Sequence, residues 1–195
     1  MPTSFRRIAV IAAFAVLAGT SSAWAAPTAY KVDSRHTFPS FQADHGGGKS
    51  IWRGKFNSTT GTIMLDKQAG AGSVDITVDT TSIDFGLDDM NKHAKSADMF
   101  DVEKFPTATY KGTLAKFKDG APTVVEGELT LHGVTRPLTL KIHSFKCTPN
   151  REQKDNCGAD ASASFSREDF GIDFGKKFGF LMDVTLQIQV EATAQ

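Results

Sequence analysis

Two runs of alternating apolar and polar residues flank a short polar break between residues 124 and 143. Before the break, Gly127, Leu129 and Leu131 fall on one side of an extended chain, and Glu128 and Thr130 fall on the other. After the break, the sequence LTLKI alternates in the same way. A period of two is typical of a strand with one buried and one solvated face. The two runs therefore predict an antiparallel hairpin.

The same alternation recurs along the chain, with turn residues between the runs. The segments that we predict as strands are 29–33, 37–45, 52–56, 61–66, 73–80, 107–116, the two runs of the hairpin, 159–166 and 182–192. Only the segment 88–99 has apolar residues at helical spacing. Many short strands favour an all-β fold with one antiparallel sheet. Roughly eight strands closed into a barrel leave an interior wide enough for one small ligand.

Residues 1–25 have the features of a secretory signal peptide. Arg6 and Arg7 precede an apolar run, and a small-x-small cleavage sequence ends at Ala25. We expect cleavage there to leave residues 26–195 as a single domain in the periplasm or outside the cell. The apolar run is short for a transmembrane span, so we expect no stable membrane anchor after cleavage. An uncleaved anchor is the alternative.

Charge argues against nucleic acid as a partner. The chain has 22 basic and 22 acidic residues, and removal of Arg6 and Arg7 leaves a small acidic excess. A nucleic-acid-binding protein usually carries a basic patch, which this composition does not supply. The sequence also lacks the polybasic cluster that binds anionic lipid headgroups.

The chain has two cysteines, Cys147 and Cys157, and an exported protein meets an oxidising compartment. We therefore predict a disulfide that joins two strands across a polar, turn-rich loop. In the chain-entropy model, such a short loop contributes about 2–3 kcal/mol of stability. Two free thiols are less compatible with export, and a metal pair lacks the neighbouring ligands that would complete a site.

Catalytic sequence signatures are missing, so we expect a protein that is not an enzyme. The chain has neither a nucleophile-elbow sequence nor a complete phosphate-binding loop. One alternative is a metal-binding or enzymatic barrel that uses His36, His45 and His93. It requires the fold to gather them, because their spacing supplies no closed ligand set. We predict that the other two histidines, His132 and His143, are solvated.

Phenylalanine dominates the aromatic residues, with 15 Phe against two Tyr. Phe side chains either fill a barrel core or line a cavity for an apolar ligand. A filled core predicts a structural or interaction module, whereas a lined cavity predicts a carrier. The residues that we expect to line such a cavity are aromatic, thioether or imidazole side chains: Phe38, Phe41, Phe56, Phe85, Met90, His93, Met99, Phe100, Phe105, Phe170, Phe174 and Phe178. Arg167 and Asp169 either contact a polar ligand head or pair with each other.

Several sequence blocks follow one another in a fixed order. They are Tyr30-Lys31-Val32-Asp33 with Arg35-His36-Thr37, His45 with Gly54-Lys55-Phe56, the segment from Met90 to Pro106, GELTLHGVTRPLTL at 127–140, and REDFGI at 167–172. Together they resemble the YceI-like family of lipocalin-like, polyisoprenoid-binding proteins. Thr37, Ala94 and Met99 differ from the Ser, Leu and Phe that are usual in the family pattern.

The resemblance implies an eight-stranded antiparallel lipocalin-like barrel with a short helix at one end. It implies a ligand with a long apolar chain, such as a polyisoprenoid, an isoprenoid quinone or a fatty-acyl derivative. The role would be sequestration, transport or stress response in the periplasm. The family carries no agreed catalytic residues, so we assign none, and we expect no cofactor apart from a bound isoprenoid or acyl lipid as ligand. The resemblance also allows a homodimer.

Overall fold

A computed structural model describes residues 26–195, and the signal peptide predicted at 1–25 lies outside these residues. The described chain is mostly strand. The strands are β1 (Thr28–Val32), β2 (Phe38–His45), β3 (Ser50–Phe56), β4 (Thr59–Asp66), β5 (Ala71–Asp79), β6 (Ile83–Asp84), β7 (Thr107–Ala115), β8 (Val124–Leu131), β9 (Val134–Pro149), β10 (Asp155–Ser166) and β11 (Asp183–Ala194).

Eight of these strands form a closed antiparallel ring in the order β1-β4-β5-β7-β8-β9-β10-β11. The end of β11 closes the ring, since Ala192 pairs with Val32 of β1. The beginning of β11 pairs instead with β2, where Val184 lies opposite Ala43. β2, β3 and β6 thus extend the sheet beyond the ring. The predicted eight-stranded antiparallel barrel is confirmed.

β8 and β9 form the hairpin predicted from the alternating runs, and Leu131 and Val134 are its last pair. The two turn residues, His132 and Gly133, have φ angles of 51° and 74°. Two consecutive positive φ angles are typical of the type I′ turn, whose twist matches that of the flanking strands. The alternating leucines of both strands face the barrel interior, as predicted.

The single α-helix of the described chain, α1 (Asp88–Lys95), lies between β6 and β7. It is shorter than the predicted segment 88–99, because Ser96 has an extended backbone and its Oγ donates to the carbonyl of His93 (2.7 Å). The strand registers place α1 and the segment 167–182 at the same end of the barrel, where β5, β8 and β10 end. No helix within residues 26–195 combines the length and apolarity needed to cross a bilayer.

The predicted disulfide is present at the opposite end of the barrel. Cys147 and Cys157 lie directly across from each other in β9 and β10, with their Cα atoms 4.0 Å apart. The crosslink therefore fastens the tip of the β9–β10 hairpin.

A close approach of three strands explains why glycine lies at position 127. Gly127 of β8 faces Gly112 of β7 directly, and an added Cβ would lie 2.8 Å from the Tyr110 ring. Tyr110 uses this space to cross β8, and its hydroxyl donates to the carbonyl of Leu138 in β9 (2.8 Å). The tyrosine thus ties three neighbouring strands together.

We predict that Gly127→Ala destabilises the barrel by about 1–3 kcal/mol, because the methyl group overpacks the space that Tyr110 fills. The measurement is urea unfolding followed by far-UV circular dichroism. Gly158→Ala is the matched control, since a Cβ there meets no atom closer than 3.7 Å. Equal unfolding midpoints for the two variants would contradict the role assigned to Gly127.

Candidate functional site

The barrel encloses a cavity of about 520 Å³. Every strand of the ring contributes side chains to its wall, which is almost entirely apolar. The inward-facing positions alternate along each strand, as in Leu138, Leu140 and Ile142 of β9. Small side chains such as Ala108, Ala161 and Ala192 leave part of the interior open. The core is therefore not filled, which contradicts the alternative of a structural module with a full core.

At the disulfide end, the cavity is bounded by Tyr30, whose hydroxyl is hydrogen-bonded to the protein. The Tyr30 hydroxyl donates to Asp155 Oδ2 (2.8 Å), and Lys67 Nζ contacts the same oxygen (2.5 Å). Burial, together with the neighbouring Asp155 carboxylate, raises the pKa of Tyr30 to about 12. Burial also raises the pKa of Tyr110 to about 12. Both phenols stay neutral and hydrogen-bonded inside the wall.

The opposite end of the cavity, next to α1, is surrounded by rings that touch one another. His45 stacks on Trp52 with ring centroids 4.7 Å apart, and Phe180 lies 5.6 Å from His45. On the other side, His93 of α1 contacts Phe174 at 4.5 Å. His45 and Phe174 line the cavity and are also exposed, so the cavity meets solvent at this end, which we call the mouth. We call the rings around it the aromatic collar; its members all line the cavity and are His45, Trp52, Phe85, His93, Phe174 and Phe180.

Asp44 connects two of the loops that form the mouth. Its carboxylate accepts hydrogen bonds from the backbone N–H groups of Gly47 (2.8 Å) and Leu181 (2.9 Å), and also from Gly48. The Leu181 N–H, assisted by those of Gly48 and Gly47, lowers the pKa of the Asp44 carboxyl. The ionised carboxylate thus holds the β2–β3 turn against the segment 167–182.

Arg167 holds the same segment from the inside. It is only 8% exposed and lines the cavity. Its guanidinium donates to the carbonyls of Ile172 (3.0 Å) and Phe174 (2.7 Å). Burial lowers the pKa of Arg167. The predicted pairing of Arg167 with Asp169 is wrong, because the guanidinium is hydrogen-bonded to backbone carbonyls instead. Asp169 is exposed and does not line the cavity.

Most of the residues predicted to line the cavity do so. Those that contribute to its wall are Phe41, Phe56, Phe85, Met90, His93, Met99, Phe100 and Phe174. The structure brings them together at the half of the barrel that carries α1, where strands and loops supply them jointly.

Four predicted phenylalanines do not line the cavity. Phe38 has the opposite parity from Phe41 in β2 and lies beneath Lys55 Nζ, 4.5 Å away, on the outer face. Phe105 packs against the His132 ring (4.5 Å). Phe170 is 1% exposed and belongs to a separate cluster with Leu131. Phe178 is 65% exposed.

The histidines do not form a metal site of the kind that the alternative requires. His36 is exposed, bonded to Asp33 Oδ2 (2.8 Å) and away from the cavity, whereas His45 and His93 line the mouth. Within residues 26–195, the one group of three ligand-type side chains that lie close together is Cys147, Asp155 and Cys157. Its two sulfurs are joined in the disulfide.

The prediction that His132 is solvated is wrong. Its ring packs on Phe105, and its Nδ1 lies 3.0 Å from the carbonyl oxygen of Phe170. The type I′ turn carries His132 back over the segment 167–172, so the histidine fastens that segment to the hairpin. His143 is exposed on β9 and bonds to Ser162, in agreement with the prediction.

Sequence reasoning missed several residues at the mouth. Trp52 and Phe56 are four positions apart in β3, so the alternation predicts that both side chains lie on the inward face. Asp44 and Phe180 carry no such signal, because their roles depend on loops that meet only in the folded chain.

The closed antiparallel ring and its apolar cavity place this protein in the class of β-barrels that have an internal cavity. Residues 30–194 match the YceI-like domain. Protein YceI of Escherichia coli O6:H1 is 34% identical over 171 residues, which cover 85% of this chain and 87% of that protein. The chain therefore belongs to the YceI-like family, as the sequence blocks indicated.

Solved structures share the fold. BcnA from Burkholderia cenocepacia matches with a TM-score of 0.65 at 20% identity, over 83% of this chain and 99% of that chain. A polyisoprenoid binding domain from Saccharophagus degradans, implicated in plant cell wall breakdown, matches with a TM-score of 0.61 at 15% identity, over 86% of this chain and 99% of that chain.

We predict that neither of the chain's two tyrosines ionises in the folded protein below about pH 11, because both pKa values lie near 12. The stabilisation from the neutral phenols is fully present below their ordinary pKa of 10.0 and is lost as the pH rises toward about 12. Phenolate absorbance during an alkaline titration measures this, with Tyr30→Phe and Tyr110→Phe each removing one step. Ionisation near pH 10 before unfolding would contradict it.

We predict that Asp44→Ala accelerates amide hydrogen exchange in residues 175–181 by about fivefold, because the variant loses the hydrogen bond to the Leu181 N–H. Because folding lowers the pKa of Asp44, its contribution is present above its ordinary pKa and is lost as the pH falls through the lowered value. Mass spectrometry of exchanged peptides gives the measurement. Asp183→Ala, at an exposed aspartate near the same segment, should leave the exchange unchanged.

Proposed function

We propose that this protein binds the long apolar chain of a lipid-like molecule inside the barrel. The class of ligand is a polyisoprenoid, an isoprenoid quinone or a fatty-acyl derivative. The observation that carries the proposal is the cavity of about 520 Å³, walled by apolar side chains and open at one end. Small-molecule sites usually have volumes of about 300–1,000 Å³, so the space suits one such ligand.

The chemistry of the wall favours hydrocarbon over polar ligands. Each methylene group removed from water contributes about 0.8 kcal/mol, and a long chain adds many such increments. These increments offset the loss of freedom when a flexible chain is confined. A polar ligand would lose its hydrogen bonds to water in this cavity without replacing them.

The two ends of the cavity differ in polarity and in contact with solvent, and this difference orients the ligand in the proposal. At the disulfide end, the hydroxyls of Tyr30 and Tyr110 are already hydrogen-bonded to the protein. At the mouth, Asp44, His93 and Arg167 line the cavity with polar atoms. Asp44 and Arg167 are likewise bonded to the protein, so the contact of the mouth with solvent is what favours a polar head there and an apolar tail toward the disulfide.

The comparisons support this proposal through family membership and through the polyisoprenoid binding domain that shares the fold. The predicted signal peptide and the disulfide support a periplasmic or secreted location for residues 26–195. There the protein would sequester or transport its ligand, or act in a stress response, without catalysis and without a cofactor other than the lipid.

Organic extraction of the purified protein, followed by mass spectrometry, tests the proposal. We expect an extractable lipid with a long hydrocarbon chain at a stoichiometric level. Sedimentation velocity of the same preparation determines whether the protein is a monomer or the homodimer that the family resemblance allows. A preparation with no extractable lipid that also fails to bind fluorescent fatty acids or polyprenols would overturn the proposal.

We predict that Ala161→Phe weakens the binding of a fluorescent fatty acid by about tenfold or more. Ala161 lines the cavity, so the larger ring displaces about two methylene groups of the ligand. Ser164→Phe is the matched control, because Ser164 lies on the exposed outer face of the same strand. Fluorescence titration gives both affinities. Equal losses in the two variants would contradict binding inside the barrel.

A further inference from the structure

The large apolar side chains that are exposed in the described chain have a common location. They are Ile51, Leu87, Phe174, Phe178 and Leu181, with exposures from 36% to 65%. We call this set the apolar rim. All five belong to segments at the mouth of the cavity, whereas the outer wall of the barrel follows the polar half of the strand alternation.

Contacts between the three segments place the apolar rim around the opening. Gly47 of the β2–β3 turn approaches the carbonyl of Gly179 so closely that an added Cβ would lie 2.9 Å from it. Leu181 is bonded to Asp44, which pairs with Ile51 across the β2–β3 hairpin. The β2–β3 hairpin and the segment 167–182 therefore meet, and they carry Ile51 and Leu181 to adjoining parts of the mouth.

The α1 side completes this ring. Leu87 precedes the first residue of α1, two positions after Phe85, whose ring lies 5.9 Å from Trp52. Phe174 contacts His93 on the same helix. Exposed apolar side chains thus border the opening on the sides of β3, α1 and the segment 167–182.

We propose that the apolar rim docks on the surface of a lipid bilayer, so that the mouth of the cavity opens toward the acyl chains. This inference rests on the proposed function, since a ligand with a long hydrocarbon chain resides in membranes rather than in water. Exposed apolar side chains gathered at one end mark an interaction site, and here they border the route by which such a ligand must enter.

The shape of the apolar rim favours a fluid partner over a second copy of the chain. Its side chains come from the start of β3, from the residue before α1 and from the segment 167–182, with exposed lysines such as Lys49, Lys92 and Lys177 in or beside these elements. Lys177 Nζ lies 5.1 Å from the centre of the Phe178 ring. Aromatic and aliphatic tips with neighbouring cations suit the boundary between acyl chains and headgroups. A stable dimer needs about 800 Å² of complementary surface from each subunit, which the five side chains of the apolar rim, each at most 65% exposed, do not supply by themselves.

Charge does not drive this docking. Exposed Asp88, Asp89 and Asp173 lie in the same segments as the lysines, so the mouth is close to neutral. Insertion of apolar side chains is the main attraction, and zwitterionic vesicles should therefore suffice. Binding should also persist in about 1 M salt, where charges are screened beyond about 3 Å.

The test uses the chain without its signal peptide and vesicles of phosphatidylcholine that contain a dansyl-labelled lipid. Trp52 is then the only tryptophan and lies at the mouth, so energy transfer from Trp52 to dansyl reports docking. We expect the double variant Phe178→Ser, Leu181→Ser to lower the vesicle affinity at least tenfold and to slow the transfer of a fluorescent fatty acid between vesicles. Neither residue lines the cavity, so the affinity for the free fatty acid should not change.

Met64→Ser is the matched control, because Met64 lies between two cavity-lining residues of β4 and faces outward, away from the mouth. Circular dichroism verifies that each variant is folded. The proposal is overturned if the unaltered chain does not bind vesicles, if the control loses as much affinity as the double variant, or if the apolar rim instead mediates a dimer in sedimentation experiments. Vesicle binding by a protein that neither carries lipid nor binds fatty acid would leave the docking intact and overturn the proposed function.

Discussion

The double pairing of β11 determines how the rest of the molecule is arranged. Its final residues pair with β1 and close the ring, which converts one face of the sheet into an interior. Its first residues pair with β2 and direct β2, β3 and β6 away from the ring. This branch carries Trp52 and His45 to the end where α1 and the segment 167–182 lie. One strand therefore creates both the closed cavity and the extended wall that forms its mouth.

Alternation in the sequence was sufficient to predict the barrel, because a period of two assigns each side chain to one face. The β8–β9 hairpin and β11 were predicted on this basis. The prediction that Phe38 faces the interior is wrong. Phe38 and Phe41 are three positions apart in one strand, so the alternation itself places their side chains on opposite faces. The two-residue strand β6 was not predictable, because it exists only through its pairing with β3. The early end of α1 was not predictable either, because it depends on the hydrogen bond from Ser96 Oγ to the carbonyl of His93.

The mouth was harder to predict than the wall, for a physical reason. Wall residues follow the regular geometry of strands, whereas the collar consists of side chains brought together by loops of different parts of the chain. Asp44 and Leu181 are 137 residues apart in sequence, and no local pattern indicates that they bond. Arg167 and Asp169 are neighbours in sequence, yet the guanidinium turns inward to backbone carbonyls and the carboxylate remains outside.

The disulfide lies at the end of the barrel remote from the mouth. Covalent and hydrogen-bonded constraints on that end leave the opposite loops, held by groups such as Asp44 and Arg167, as the part that must yield when a ligand passes. Loops that are held by hydrogen bonds can shift without breaking the strand pairing of the ring. One end of the barrel is thus fastened by a covalent crosslink and the other only by hydrogen bonds, so the mouth is the end that can change shape while the sheet stays intact.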